Sequence, residues 1–368
     1  MSEETVRYVG IDLAKKTMEV CVLGEEEKEI KRVSSVSTNE TGRKRLVNLL
    51  KKTDIIGMEA CTYSFLLTRY IEKEVGCTVY NLNAGKLQMI WKSTKKTDKE
   101  DALKIAKLIQ RFPEEELPLV ALPSEKEEEL RKYVSLKQFL TRQRTQLINR
   151  LHAIFVQEGI TGIKKSQLRR RESRLLQMEN LRNIHAYTAQ ILEKQIEGIE
   201  ESMVEIREKI SERVKQNELT PYIMSIPGVG MGLAAAFLAY IGDGNRFSKS
   251  SEVANYVGLV PRIDCSGETE RYGHILKGGC RALRSVILQS AWALVLSKGG
   301  GRLQEKFLLL KDRIGKTKSA VAIARKMITL MWVLVQKKQY YADITKEQLE
   351  RKFRYYKIDF MEWESIPA

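Results

Sequence analysis

Residues 96–106 read KTDKEDALKIA. Helical spacing puts Asp98 and Asp101 on one face within a first turn. Acids suit the positive end of a helix dipole in any protein. Here, however, Lys92, Lys95 and Lys96 come just before, and that basic run suits an anionic ligand better than a solvated cap does. Two further acids stand upstream at the ends of apolar runs. Asp12 closes residues 6–13 (VRYVGIDL), and Glu59 closes residues 54–60 (DIIGMEA). Residues 17–23 and 29–36 complete an opening set of three strand candidates joined as an antiparallel meander. Residues 39–50 and 63–74 carry a helical period, and residues 77–82 form another strand candidate. A meander followed by alternating strands and helices describes an α/β ribonuclease-H-like domain, whose carboxylates come from the first strand, a later strand and a terminal helix.

At 368 residues, several domains are expected. The composition, 43% hydrophobic and 30% charged, is that of a folded protein. There is no uninterrupted apolar run of membrane-spanning length, and residues 1–13 lack a signal-peptide layout, which predicts a cytoplasmic protein with no membrane partner. Cys21, Cys61, Cys77, Cys265 and Cys280 lack paired spacing and read as reduced thiols. His152, His185 and His274 are scattered without metal spacing, and His152 reads as a packing or surface residue. A formal charge of +16 points to a polyanionic partner, nucleic acid first.

Residues 125–157 lack proline and glycine and predict one long helix. After a break at 159–162, the basic run 164–174 leads into more helix ending near residue 216, so the middle third reads as a coiled-coil arm. Arg131, Arg142, Arg144 and Arg150 stripe its first helix as candidate phosphate contacts. Residues 222–243 (YIMSIPGVGMGLAAAFLAYIGD) resemble a helix-hairpin-helix, in which Gly228 and Gly230 would expose backbone N–H groups to a DNA phosphate. A tight turn between two core helices fits the same letters. Residues 262–277 (RIDCSGETERYGHILK) are polar and glycine-punctuated, and Ser266 within them is first of all a turn residue. Helices resume at 281–296 and 319–336. Arg262, Lys277, Arg281, Arg284, Arg325 and Lys326 join Lys95 and Lys96 as candidate nucleic-acid contacts.

Four carboxylates gathered at one site repel unless cations offset them. Mg²⁺, with Mn²⁺ as a substitute, is a hard cation that takes oxygen ligands together with substrate phosphates. Two such ions roughly 3.5–4 Å apart can stabilise the attacking and leaving oxygens of a phosphoryl transfer. A rival reading takes residues 11–17 (IDLAKKT) as similar to the phosphate hairpin of actin-like ATPases. It would need a second matching half-domain, which the sequence does not offer, and it leaves the charge unexplained.

Taken in order, YVGIDLAKK, IIGMEA, KKTDKEDALKIA, SIPGVGMGLAAAFLAYIGD and NYVGLVPRIDCSGETERYGHILKGGCRALR closely resemble the DEDD transposases of the insertion sequence 110 family. The resemblance implies a RuvC-like domain over residues 1–122 whose metal-binding acids are Asp12, Glu59, Asp98 and Asp101. It also implies a helical arm over 123–218 and a mostly helical transposase domain over 219–345, with a tail at 346–368. Ser266, before Gly267, takes the position of the family's nucleophilic serine, with Tyr256 and Tyr272 as weaker alternatives. The implied activity is recombination through a serine–DNA link, guided by a structured "bridge" RNA and carried out by a homo-oligomer (a dimer, and a tetramer when synaptic). A metal-dependent nuclease or junction resolvase that uses water is the alternative.

Overall fold

The computed structural model describes residues 5–90, 98–266, 269–275, 278–297 and 299–359. The chain forms two compact units, split after Pro123. In the first, β1 (Tyr8–Leu13), β2 (Thr17–Leu23) and β3 (Glu29–Ser37) form the expected meander. There follow α1 (Glu40–Val47), β4 (Ile55–Glu59), α2 (Ser64–Glu74), β5 (Thr78–Leu82), α3 (Ala84–Ile90) and α4 (Asp98–Arg111). The sheet order is β3-β2-β1-β4-β5, with β4 parallel to both β1 and β5.

Strand alternation sorts the side chains onto two faces. Val9, Ile11, Val20, Ile56 and Met58 are fully buried in one cluster with Leu46 of α1 and with Leu67 and Ile71 of α2. On the opposite face Cys21 and Leu23 pack against Ala102 and Ala106 of α4. The central strands are therefore covered on both sides, which explains the near-continuous apolar run in β2. Polar β3 lies at the edge, where charged side chains discourage pairing with another chain.

The second unit opens with α5 (Glu125–Gln157), started by a capping box between Ser124 and Glu127. After α5 come α6 (Arg171–Met178), α7 (Asn183–Lys215), α8 (Thr220–Ser225), α9 (Met231–Tyr240) and α10 (Ser250–Val257). A hairpin of β6 (Pro261–Ser266) and β7 (Thr269–Ile275) precedes α11 (Arg281–Leu296), α12 (Gly301–Ile314), α13 (Lys316–Lys337) and α14 (Lys346–Tyr356). The α5 helix has the bounds read from sequence, and it packs along α7. Leu130 and Val134 of α5, with Ile206, Ile210 and Val214 of α7, belong to the core formed by α8–α14. The far ends of α5 and α7 have a separate core around Leu151, Phe155, Leu168 and Ile196.

Residues 346–356, expected within a tail, form α14, which buries Leu349 and Phe353 four residues apart against that larger core. Among the described residues α13 is long and apolar enough to cross a bilayer. Half of its most apolar window is buried in the core, and Arg325 and Lys326 interrupt it.

In α6, Arg174 is fully buried. It forms a bidentate pair with Glu193 at 2.6 and 2.9 Å and reaches Glu200 at 2.9 Å. Arg174→Ala leaves Glu193 buried without its partner, a defect that costs about 3–5 kcal/mol. The expected result is a matching drop in the unfolding free energy of the second unit, with faster amide exchange in α6. Unchanged stability would show that water or rearrangement replaces the pair.

Candidate active site

Gly10 and Gly57 lie side by side in the paired strands β1 and β4, and together they make the seat for α4. A Cβ on Gly10 would stand 2.0 Å from the Ala102 carbonyl oxygen and 2.5 Å from the Ala106 nitrogen. A Cβ on Gly57 would meet the Cγ2 atoms of Ile105 and Ile109, each at 2.9 Å. The helix backbone therefore rests directly on β1, an approach open only to glycine.

This seat orders the acids. Asp12 is two residues past Gly10 and Glu59 two past Gly57, so both share the α4 face of the sheet, just beyond the last paired residues Ile11 and Met58. Gln110 near the end of α4 donates to the Gly24 carbonyl at 2.8 Å, beyond the end of β2 that pairs with Tyr8. The other end of α4, where Asp98 begins the helix and Asp101 follows, is thus directed toward the Asp12 and Glu59 end of the sheet. Asp12, Glu59 and Asp101 are each half-buried. Asp101 pairs with Lys104 of its own helix at 2.8 Å. The side chain of Asp98 lies outside the described residues. Among those described, no three His, Cys, Asp or Glu side chains converge closely enough to hold a metal ion. The donor chemistry nonetheless fits Mg²⁺, being oxygen only and free of the sulfur or imidazole that would favour zinc.

Glu19, overlooked in the sequence, is the cross-strand partner of Asp12 and so lies on the same face. It is 9% exposed. Its Oε1 accepts from the Ser35 N–H at 2.7 Å, at the point where β3 bulges. Its Oε2 is buried with no hydrogen-bond partner among the described residues. The signal was present in TMEVCVL, where one acid interrupts an otherwise apolar run.

Ser266 belongs to the second unit. It is the last residue of β6 and is paired with Thr269 at the start of β7, so the expected turn is one end of a β-hairpin, the strands of which the sequence reading missed. The side chains of Ser266, Cys265 and Tyr272 lie outside the described residues. Tyr256 lies in the helical core, edge-on to Phe247 at 5.5 Å, and burial raises its pKa, which makes it a poor nucleophile. Cys21, Cys61, Cys77 and Cys280 are free thiols. The His152 ring is half-buried, with Nε2 2.9 Å from the Ile163 carbonyl.

The candidate phosphate contacts divide into three groups. Arg131 donates to the Ala239 carbonyl at 2.6 Å and lies over the Tyr240 ring. Arg144 pairs with Glu200 at 2.6 Å, and Arg284 donates to the Val257 carbonyl at 2.8 Å. All three tie parts of the second unit together. Arg150, Arg262, Arg281, Arg325 and Lys326 are exposed, while Lys95, Lys96 and Lys277 lie outside the described residues. Gly228 turns the chain between α8 and α9 at φ +78°, and a Cβ there would meet Leu294 of α11 at 2.7 Å. That glycine is required by packing as well as by any ligand. Gly230 caps α9 beside the Tyr356 hydroxyl.

Two family profiles match the chain. One, described as "Transposase" and built on the DEDD group of IS110, covers residues 9–159. The other, "Transposase IS116/IS110/IS902 family", covers residues 220–307. The transposase for insertion sequence element IS1111A of Coxiella burnetii is 25% identical over 92% of this chain and 92% of its own length. The transposase for insertion sequence element IS1328 of Yersinia enterocolitica is 23% identical over 89% and 96%. The pilin gene-inverting protein of Moraxella bovis is 31% identical over 33% of this chain and 38% of its own. With both profiles drawn from one family and relatives matching nearly end to end, the chain belongs to the IS110 family of transposases.

Proposed function

We propose that this protein cleaves and rejoins DNA strands to move an insertion element, using a ribonuclease-H-like carboxylate site and a serine nucleophile. The observation that carries the reading is the glycine seat, which directs the Asp98–Asp101 end of α4 toward the sheet end bearing Asp12 and Glu59. Those four acids would hold Mg²⁺, which would supply charge stabilisation at the phosphate and at the oxygens that attack and leave it. Asp12 and Glu59 sit at the ends of rigid strands, so their carboxylates are held in place before substrate arrives, as preorganised catalysis requires.

Ser266 Oγ attacks the scissile phosphorus. One O–P bond forms as the bond to the departing strand breaks. The serine proton is lost, and the departing strand's oxygen ends as a hydroxyl. The number of phosphodiester bonds is unchanged, so rejoining needs no ATP. A serine requires activation, and Mg²⁺ held by the carboxylates would supply it by lowering the pKa of the hydroxyl. The two sets of residues belong to different units, consistent with a composite site completed in a homo-oligomer. DNA is the substrate, and a structured guide RNA selects the sites; the basic charge of the chain suits both.

A nicked DNA substrate that releases the departing strand should trap a protein–DNA adduct in the wild type and none in Ser266→Ala. Cleavage without an adduct in the wild type would sink the serine mechanism in favour of a water-using nuclease. Recombination undiminished by ribonuclease treatment would sink the guide RNA.

A further inference from the structure

In the second unit three clefts adjoin around the start of α9. The first, of 460 Å³, is lined by Lys137, Arg142 and Arg281. The second, of 420 Å³, shares Lys137, Gly232 and Gln289 with it and adds Lys352. The third, of 430 Å³, shares Gly228 and Lys352 with the second and adds Arg351 and Tyr355. They make one continuous groove across α5, α11, the α8–α9 turn and α14. Among the described residues five cations line it and no Asp or Glu does.

For the two lysines of this row, Lys137 and Lys352, which are half-buried, the missing acid is costly, because charge taken out of water normally finds an opposite partner. Lys352 Nζ has one neutral acceptor, the Ile226 carbonyl at 2.8 Å, and burial pushes its pKa down to about 7. Lys137 is lowered too, by burial first and then by the like charge of Arg207. The groove also passes the N-terminus of α9, where the N-cap Gly230 makes no side-chain cap hydrogen bond, so the first N–H groups of the helix add positive potential.

Resting on the proposed DNA recombinase activity, we propose that this groove is a track for the phosphodiester backbone of a DNA strand, with Lys137, Arg142, Arg281, Lys352 and Arg351 neutralising successive phosphates. Backbone neutralisation of this kind is independent of sequence and releases counterions, so its signature is salt dependence.

The test is binding of a short labelled DNA duplex by the full chain across a salt series, with RNA of the same sequence as competitor. The Arg142→Ala/Arg281→Ala double variant changes two exposed side chains, so folding is not at issue. It should weaken DNA binding about tenfold or more and flatten the logarithmic salt slope by roughly two. Lys306→Ala, on exposed α12 surface outside the groove, should bind as wild type. Lys352→Met keeps the apolar stem and removes the charge. The other titratable groups lining the clefts beside Lys352 are Lys137, Arg351, Tyr355 and Tyr356, and the DNA backbone keeps its charge near neutrality. Wild-type affinity should therefore fall as pH rises through about 7, and Lys352→Met should blunt that fall. Double-variant binding equal to wild type with an unchanged salt slope would overturn the groove while leaving the recombinase reading intact. Loss of RNA binding with DNA binding unaffected would overturn it in favour of the guide. A wild type that binds no DNA would overturn both together.

Discussion

Asp12→Asn and Glu59→Gln are each expected to lower DNA strand cleavage on the order of a thousandfold, about 4 kcal/mol of transition-state stabilisation. The substitutions keep size and hydrogen-bonding capacity and remove one negative charge from the face that α4 crosses. The same change should leave the fold intact. Each variant should keep an unfolding free energy close to that of the wild type while cleavage is lost. That divergence separates a catalytic carboxylate from a structural one. The measurements are cleavage of a nicked DNA substrate across a Mg²⁺ series and urea unfolding of the same preparations. Wild-type cleavage by both variants would remove these acids from the site, and a fall in stability parallel to the fall in activity would assign them to the scaffold. Chelation of divalent ions should stop cleavage by the wild type and restore nothing to the variants.

Gly10→Val should disrupt the first unit more than any surface change. The first added carbon already stands 2.0 Å from the Ala102 carbonyl oxygen and 2.5 Å from the Ala106 nitrogen. Both are helix backbone, so neither can swing aside, and α4 must lift away from β1. Overpacking of this kind typically costs about 1–3 kcal/mol. The cost here belongs at or above the top of that range, because moving the helix also opens the contacts of Ala102 and Ala106 with Cys21 and Leu23. Gly57→Ala meets only the methyl ends of Ile105 and Ile109, so its cost should be clearly smaller. Gly198, exposed within α7, has nothing within 4 Å of a new Cβ. Gly198→Ala should raise stability by about 0.5–1 kcal/mol, the ordinary helix preference for alanine. Urea unfolding of the three variants checks the order Gly10, Gly57, Gly198 from most harmful to helpful. A Gly10→Val protein as stable as wild type would show that α4 is not seated on the sheet as described.

The strands and helices of the first unit were legible because their patterns are local. YVGIDL and IIGME alternate between two faces, and DALKIAKLI repeats at helical spacing. The bounds of α5 were legible for the same reason, since an unbroken run without glycine or proline starts at a capping serine. The hairpin whose first strand ends at Ser266 was not legible: its letters are mostly polar and punctuated by glycine, so they lack the apolar alternation that marks a strand. The helix at 346–356 was hidden because its apolar face amounts to Leu349 and Phe353, and its stability comes from packing on a core that gathers residues from Leu130 to Ile344.

The sequence by itself determined which acids stand at the ends of which elements, since periodicity is a property of neighbouring residues. Only the tertiary structure decided which groups meet. It set Gly10 against Ala102, placed Glu19 opposite Asp12, gave Arg131 and Arg144 partners inside the protein, and brought Lys137 and Lys352 to the lining of one cleft. A cation's role depends on what the fold brings within about 4 Å of it, and residue type carries no record of that distance.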